Sequence, residues 1–175
     1  MGRMHRIVPG LLAAAVVAAC SPPAPPPAPQ QARSEAPPAR DLIAEVRSAA
    51  EGEDALEIQP LRDPAAEDWR LRALAFEREG RLDAAGEALE RALQAAPEDP
   101  ELLQLSAELA LARGELDAAE QSAWRAFEQG PQVGPLCRRN WAAIRLAREL
   151  RGNAEAADIA RGQAERCAHQ PPVRM

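Results

Sequence analysis

Gly80-Arg81-Leu82-Asp83-Ala84-Ala85 returns as Gly114-Glu115-Leu116-Asp117-Ala118-Ala119, 34 residues further along the chain. Ala92 returns as Ala126, and Pro97 as Pro131, at the same shift. A period of 34 is the length of one helix–turn–helix repeat unit. In each copy the glycine permits the left-handed turn that ends one helix. The aspartate three residues later, Asp83 or Asp117, stands where the following helix needs an N-cap. Asp99 precedes Pro100, which puts proline at the first helical position, where its missing N–H costs nothing.

Composition agrees with packed helices. The 175 residues are 46% hydrophobic but only 3% aromatic, and alanine supplies much of the apolar content. A β-sandwich would want more Val, Ile, Thr and aromatics. The formal net charge is −6. Residues 1–40 set Arg3, Arg6, Arg33 and Arg40 against Glu35, a balance of +3, which leaves −9 on residues 41–175. An acidic domain is a poor match for nucleic acid or an anionic lipid surface, both of which demand basic patches. Every basic residue is Arg, as codon bias in a GC-rich genome would produce.

The amino terminus reads as an address. Arg3 and Arg6 precede an apolar run from Ile7 to Ala19, which Pro9 and Gly10 interrupt and which is too short for a span of ~20 residues. This is the layout of a secretory signal peptide. Val17-Ala18-Ala19-Cys20 resembles the bacterial lipobox, which implies lipidation of Cys20 after removal of residues 1–19. The other reading is an ordinary cleaved signal with an incidental cysteine. Ser21 after Cys20 resembles the pattern of outer-membrane lipoproteins facing the periplasm, a rule that varies among bacteria and leaves the inner membrane possible. Residues 20–40 are rich in proline and favour extended polyproline II, a tether reaching up to about 60 Å; a ligand for a proline-binding domain is the rival reading. Residues 41–63 form a leading helix and connector. Asp41 is a natural cap, Leu42, Ile43, Val46, Ala49 and Ala50 fall on one stripe, and Gly52 ends the helix. This segment is expected to pack on the open end of the repeat array, with a partner-binding helix as the alternative.

Residue by residue, the segment from Ala66 to His169 resembles the tetratricopeptide-repeat family. Unit one supplies Trp69, Ala73, Phe76, Gly80, Ala85, Leu89, Ala92 and Pro97, departing at Arg72 where Leu is usual. Unit two supplies Leu103, Ala107, Ala110, Gly114, Ala119, Ala126 and Pro131, with its large residues displaced to Trp124 and Phe127. Unit three keeps the internal spacings at Trp141, Gly152, Ala157 and Ala164, its frame shifted by four residues within Gly130–Pro135. Arg145 replaces the usual small crossing residue, so a non-standard helix angle is expected there. The resemblance implies an all-α fold: a short, right-handed helical solenoid of about three helix–turn–helix units, over residues 64–169, after a disordered Pro-rich tether. Residues 170–175 are a tail.

With Cys20 lipidated, Cys137 and Cys167 remain, each 15 residues from Gly152. Residues equidistant from a hairpin turn lie side by side, and the periplasm is oxidising, so a disulfide is expected. A redox pair, which usually wants Cys-x-x-Cys, and two buried free thiols are the alternatives. Catalytic signatures are missing: no nucleophile elbow, zincin, P-loop or dinucleotide fingerprint occurs. After signal cleavage only His169 remains, two residues from Cys167. The carboxylates read as solvated helix faces, such as Glu87 with Arg91 at i, i+4. No enzyme activity, cofactor or metal is expected.

Stacked units present a concave surface. By family position, Arg70, Leu74, Glu77, Gln104, Glu108, Leu111, Leu146 and Glu149 should line it. This apolar-acidic groove suits an amphipathic or basic helical segment. The expected role is a lipid-anchored periplasmic scaffold that binds envelope proteins in pilus, secretion or outer-membrane assembly. The alternatives are a regulatory accessory subunit of a peptidoglycan-processing enzyme and a passive structural lipoprotein.

Overall fold

The computed structural model describes residues 40–51 and 63–168. The expectations for Cys20, the signal, most of the tether, the connector and His169 lie outside these residues. Seven helices make up the described chain, with no strand among them: α1 Leu42–Ser48, α2 Pro64–Arg78, α3 Leu82–Ala95, α4 Pro100–Ala112, α5 Leu116–Gln129, α6 Gly134–Leu150 and α7 Ala154–Arg166. Helices α2/α3, α4/α5 and α6/α7 pair as successive hairpins, while α3 meets α4 and α5 meets α6, so each unit stacks on the next.

One turn recurs at the end of α2, α4 and α6. Gly80, Gly114 and Gly152 hold φ of 72°, 75° and 77°. The residue after each glycine donates its N–H back five positions: Arg81 to Phe76 O at 2.9 Å, Glu115 to Ala110 O at 2.9 Å and Asn153 to Arg148 O at 3.0 Å. These are Schellman turns, and they satisfy carbonyls that a helix end would otherwise leave unpaired. They also correct the expected caps. Helices α3 and α5 begin at Leu82 and Leu116, so the capping positions belong to Arg81 and Glu115, whose side chains make no capping bond. The turn leaves a single residue between glycine and helix, so Asp83 and Asp117 fall inside the first turn, where their charge still favours the positive helix end. Asp99 does cap α4, accepting from Glu101 N at 2.9 Å and Leu102 N at 3.1 Å. Asp63 caps α2 in the same way, with Pro64 following.

The hairpins close on alanine. Ala66, Ala73, Ala85, Ala88 and Ala92 are buried with Leu89, Leu102, Leu105 and Leu109 in one cluster. Ala107, Ala119, Ala123, Ala143, Ala147 and Ala160 are buried in a second, around Leu111, Ile144, Leu146 and Trp141. Phe127 and Trp124 meet Trp141 edge to face, at centroid distances of 5.1 and 5.4 Å. In the third unit the turn-rich insertion precedes a 17-residue α6, the longest helix described. The expected disulfide is present: Cys137 and Cys167 are bonded, with Cα atoms 5.7 Å apart. Next to it Gly134 N donates to Cys167 O at 2.7 Å, which closes the open end of the last hairpin.

Closing a loop of this length stabilises by roughly 3–4 kcal/mol on the chain-entropy account. Urea unfolding with and without reductant should therefore show a lower midpoint in reductant. A Cys137→Ser/Cys167→Ser variant should sit at that lower midpoint and ignore reductant. An unchanged midpoint for the reduced protein would mean that hairpin packing alone holds the end.

Candidate functional site

Helix α1 lies against α4 and α6, and through Arg47 it also reaches α2. These three are the first helices of their units, so α1 sits on the concave face. It does not pack on the open end of the array, as the sequence led us to expect. An amphipathic stripe seats it. Val46 is fully buried in the apolar cluster that holds Leu111, Leu146 and Ile144, and Leu42 and Ala49 pack against the same cluster. Ile43 packs on the other cluster. Asp41 accepts from Ala44 N at 3.0 Å and caps the start of α1. Arg138 of α6 holds its end, donating to Ala49 O and Ala50 O at 3.1 Å each.

Charge fixes the register. Glu108 has none of its surface in water. Arg47 Nε donates to its Oε2 at 2.8 Å, and Arg139 Nε and Gln104 Nε2 donate to its Oε1 at 3.0 and 3.1 Å. The Arg47 guanidinium also forks onto both oxygens of Glu77, at 2.8 and 2.9 Å. Two carboxylates and two guanidiniums thus neutralise one another, the condition under which buried charge is tolerated. Burial works to lower the Arg47 pKa, but the hydrogen bonds and charges of Glu77 and Glu108 outweigh it and raise the pKa above its ordinary value. At the rim, Glu45 accepts from Arg40 at 2.7 and 2.9 Å and from Arg145 at 2.7 Å, while Glu149 accepts from Arg145 at 2.7 Å. The Arg40 hydrogen bond, against the opposing effect of burial and with help from Arg145, holds the Glu45 carboxyl below its usual 4.5. Among the described residues no group of His, Cys, Asp or Glu side chains is placed to hold a metal ion.

A tetratricopeptide-repeat family model matches residues 77–137. Among solved structures, the globular C-terminal domain of P. aeruginosa LpoP is 31% identical, with a TM-score of 0.57; the match covers 60% of this chain and 99% of that domain. No curated protein matches. The chain belongs to the tetratricopeptide-repeat family. Its departures from the repeat pattern now have physical accounts. Arg72, in place of Leu, lays its guanidinium over Trp69 at 4.5 Å, and Arg91 approaches the same ring at 4.8 Å. Arg145, in place of a small residue, reaches across to Glu45 of α1.

The eight residues expected on the concave surface separate into three groups in this repeat fold. Gln104, Glu108, Leu111 and Leu146 are buried, on the two helices that carry α1. Glu77 meets Arg47 of α1, and Glu149 meets Arg40 just before it at the rim. Arg70 pairs with Glu67 on its own helix at 2.6 Å, and Leu74 packs on the first-unit cluster. The reading of the carboxylates as solvated faces fails at Glu108. Sequence reasoning missed Arg47, Arg138 and Arg139. The available signal was an arginine directly after the apolar Val46 in a segment preceding an acidic groove.

Removing one partner of a buried ion pair typically costs about 3–5 kcal/mol. Arg47 keeps 38% of its side chain exposed, so Arg47→Ala should cost about 2 kcal/mol in urea unfolding. No loss would show that Arg139 alone satisfies Glu108. Glu45 gives a pH signature. A carboxyl with a depressed folded-state pKa stabilises fully above its unfolded value, and this contribution is lost as pH falls through the folded value. The Tm difference between wild type and Glu45→Gln should therefore be constant from pH 7 to 5 and close below 4.5. A difference independent of pH would place the effect elsewhere.

Proposed function

We propose that this protein is a lipid-anchored periplasmic accessory subunit whose repeat domain docks on, and regulates, a peptidoglycan-processing enzyme. The observation that carries this reading is the likeness to the LpoP globular domain, 31% identical and matched over 99% of its length. On this likeness we place an accessory role above a scaffold for pilus, secretion or outer-membrane assembly. The anchor fits the same picture. A lipid on Cys20 followed by a proline-rich tether would hold an acidic docking domain in the periplasm, within reach of the cell wall. Docking by stacked repeats needs no catalytic group of its own.

Crosslinking in intact envelopes, followed by purification and mass spectrometry, tests the reading. One dominant peptidoglycan synthase or hydrolase should be recovered, and deletion of the gene should change the cross-linking of the wall. Cys20→Ser should abolish both membrane retention and the wall phenotype. Recovery of pilus or secretion components instead would overturn the reading in favour of assembly, and recovery of no partner would favour a passive structural lipoprotein.

A further inference from the structure

We propose that α1 is a displaceable ligand in cis. In its place the groove of α2, α4 and α6 takes a short partner helix bearing an apolar residue followed by an arginine. The proposal rests on the reading of the domain as a docking module and names what the concave face of that module recognises.

Three observations point to a ligand site. First, α1 has seven residues, far short of the ~12–15 at which an isolated helix becomes even marginal in water. Its helicity depends on the seat, as in the helix-in-groove mode of peptide recognition. Second, the seat has distinct receptors for the parts of a helix. Val46 is buried in the cluster that holds Leu111, Leu146 and Ile144, Glu77 and Glu108 clamp the guanidinium of Arg47, and Arg138 takes the last carbonyls. Third, Gln104 Oε1 is buried without a hydrogen-bond partner. The groove floor therefore keeps an acceptor that α1 does not use and that a donor on another helix would satisfy.

Charge selects the class of occupant. With α1 removed, Glu77 and Glu108 would face Arg139 alone, one positive charge short of neutral. Only an arriving cation restores the balance, and the fork onto Glu77 requires the planar guanidinium rather than an ammonium. An acidic or purely apolar helix would leave the Glu108 carboxylate incompletely paired in a buried site.

The test uses the full mature chain in detergent and a fluorescent peptide with the sequence of residues 40–51. Wild type, with its groove filled, should bind the peptide weakly. Val46→Asp, which unseats α1, should bind it at least tenfold more tightly, and the same peptide carrying Arg47→Ala or Arg47→Lys should lose at least tenfold. In envelopes, Val46→Asp should capture more of the partner than wild type. A folded Val46→Asp chain that ignores the peptide, or that captures less partner, overturns the proposal and makes α1 a fixed part of the domain. Should Val46→Asp not fold, a protease site introduced between Glu51 and Asp63 serves instead. After cleavage the labelled peptide should exchange with α1, whereas a cut chain that stays folded and never exchanges overturns the proposal. Peptide exchange does not depend on the identity of the partner. Failure to recover a peptidoglycan enzyme would thus sink the functional reading and leave this one standing.

Discussion

The carboxylate of Glu108 governs how this solenoid is assembled. It is carried on the middle helix of the array, with none of its surface in water. A carboxylate in that position is tolerated only when its lone pairs are taken and its charge is met. Arg139, one unit further on, supplies one guanidinium, and Arg47 of α1 supplies the other. Arg47 then carries the network on to Glu77 in the first unit. One buried charge thereby ties together three repeat units and the leading helix. The apolar contacts around it have no such directional demand.

That tie matters because the core is thin. Alanine at the crossings brings backbones close but removes little apolar area per residue from water. The apolar interior falls into two clusters, one around the first hairpin and α4, the other from α4 onward. Helix α1 touches both, with Ile43 on the first and Val46 in the second. In a solenoid each unit contacts only its neighbours, so an element lying across the units adds coupling that stacking alone lacks. The disulfide acts at the other weak point, the open end of the α6/α7 hairpin.

Local features of the fold were readable in the sequence. The shifted glycines mark left-handed turns because few other residues tolerate positive φ, and all three turns take the same form at Gly80, Gly114 and Gly152. The cysteine pair follows from hairpin symmetry about Gly152. Asp83 and Asp117 misled because capping depends on the residue where the helix starts, and the tight turn starts it two residues earlier than an aspartate cap would. The seat of α1 was less accessible. The stripe of Leu42, Ile43, Val46 and Ala49 declares that one face is buried, but periodicity does not say against what. Groove residues were assigned from repeat positions as though the groove were empty. Glu77 and Glu108 on its floor and Arg47 beside the stripe were complementary all along, a relation visible only when the leading segment is considered as an occupant.

The same physics that made α1 hard to place determines its character. A seven-residue helix cannot hold its shape by backbone hydrogen bonds alone, since nucleation is costly and too few bonds follow it. Its folding and its docking are therefore one event, set by Val46 burial and the two carboxylates that hold Arg47. Coupled ordering of this kind carries an entropic cost that a covalent connection reduces, because the segment is always close to its site. The seat can accordingly be filled in cis by a helix that would bind far more weakly from free solution. An incoming helix from a partner must outweigh that local concentration, and it can do so only by adding contacts that α1 lacks, such as a donor for Gln104 Oε1. Selectivity then lies in the difference between two similar helices in one groove, one supplied by the chain and one by its partner.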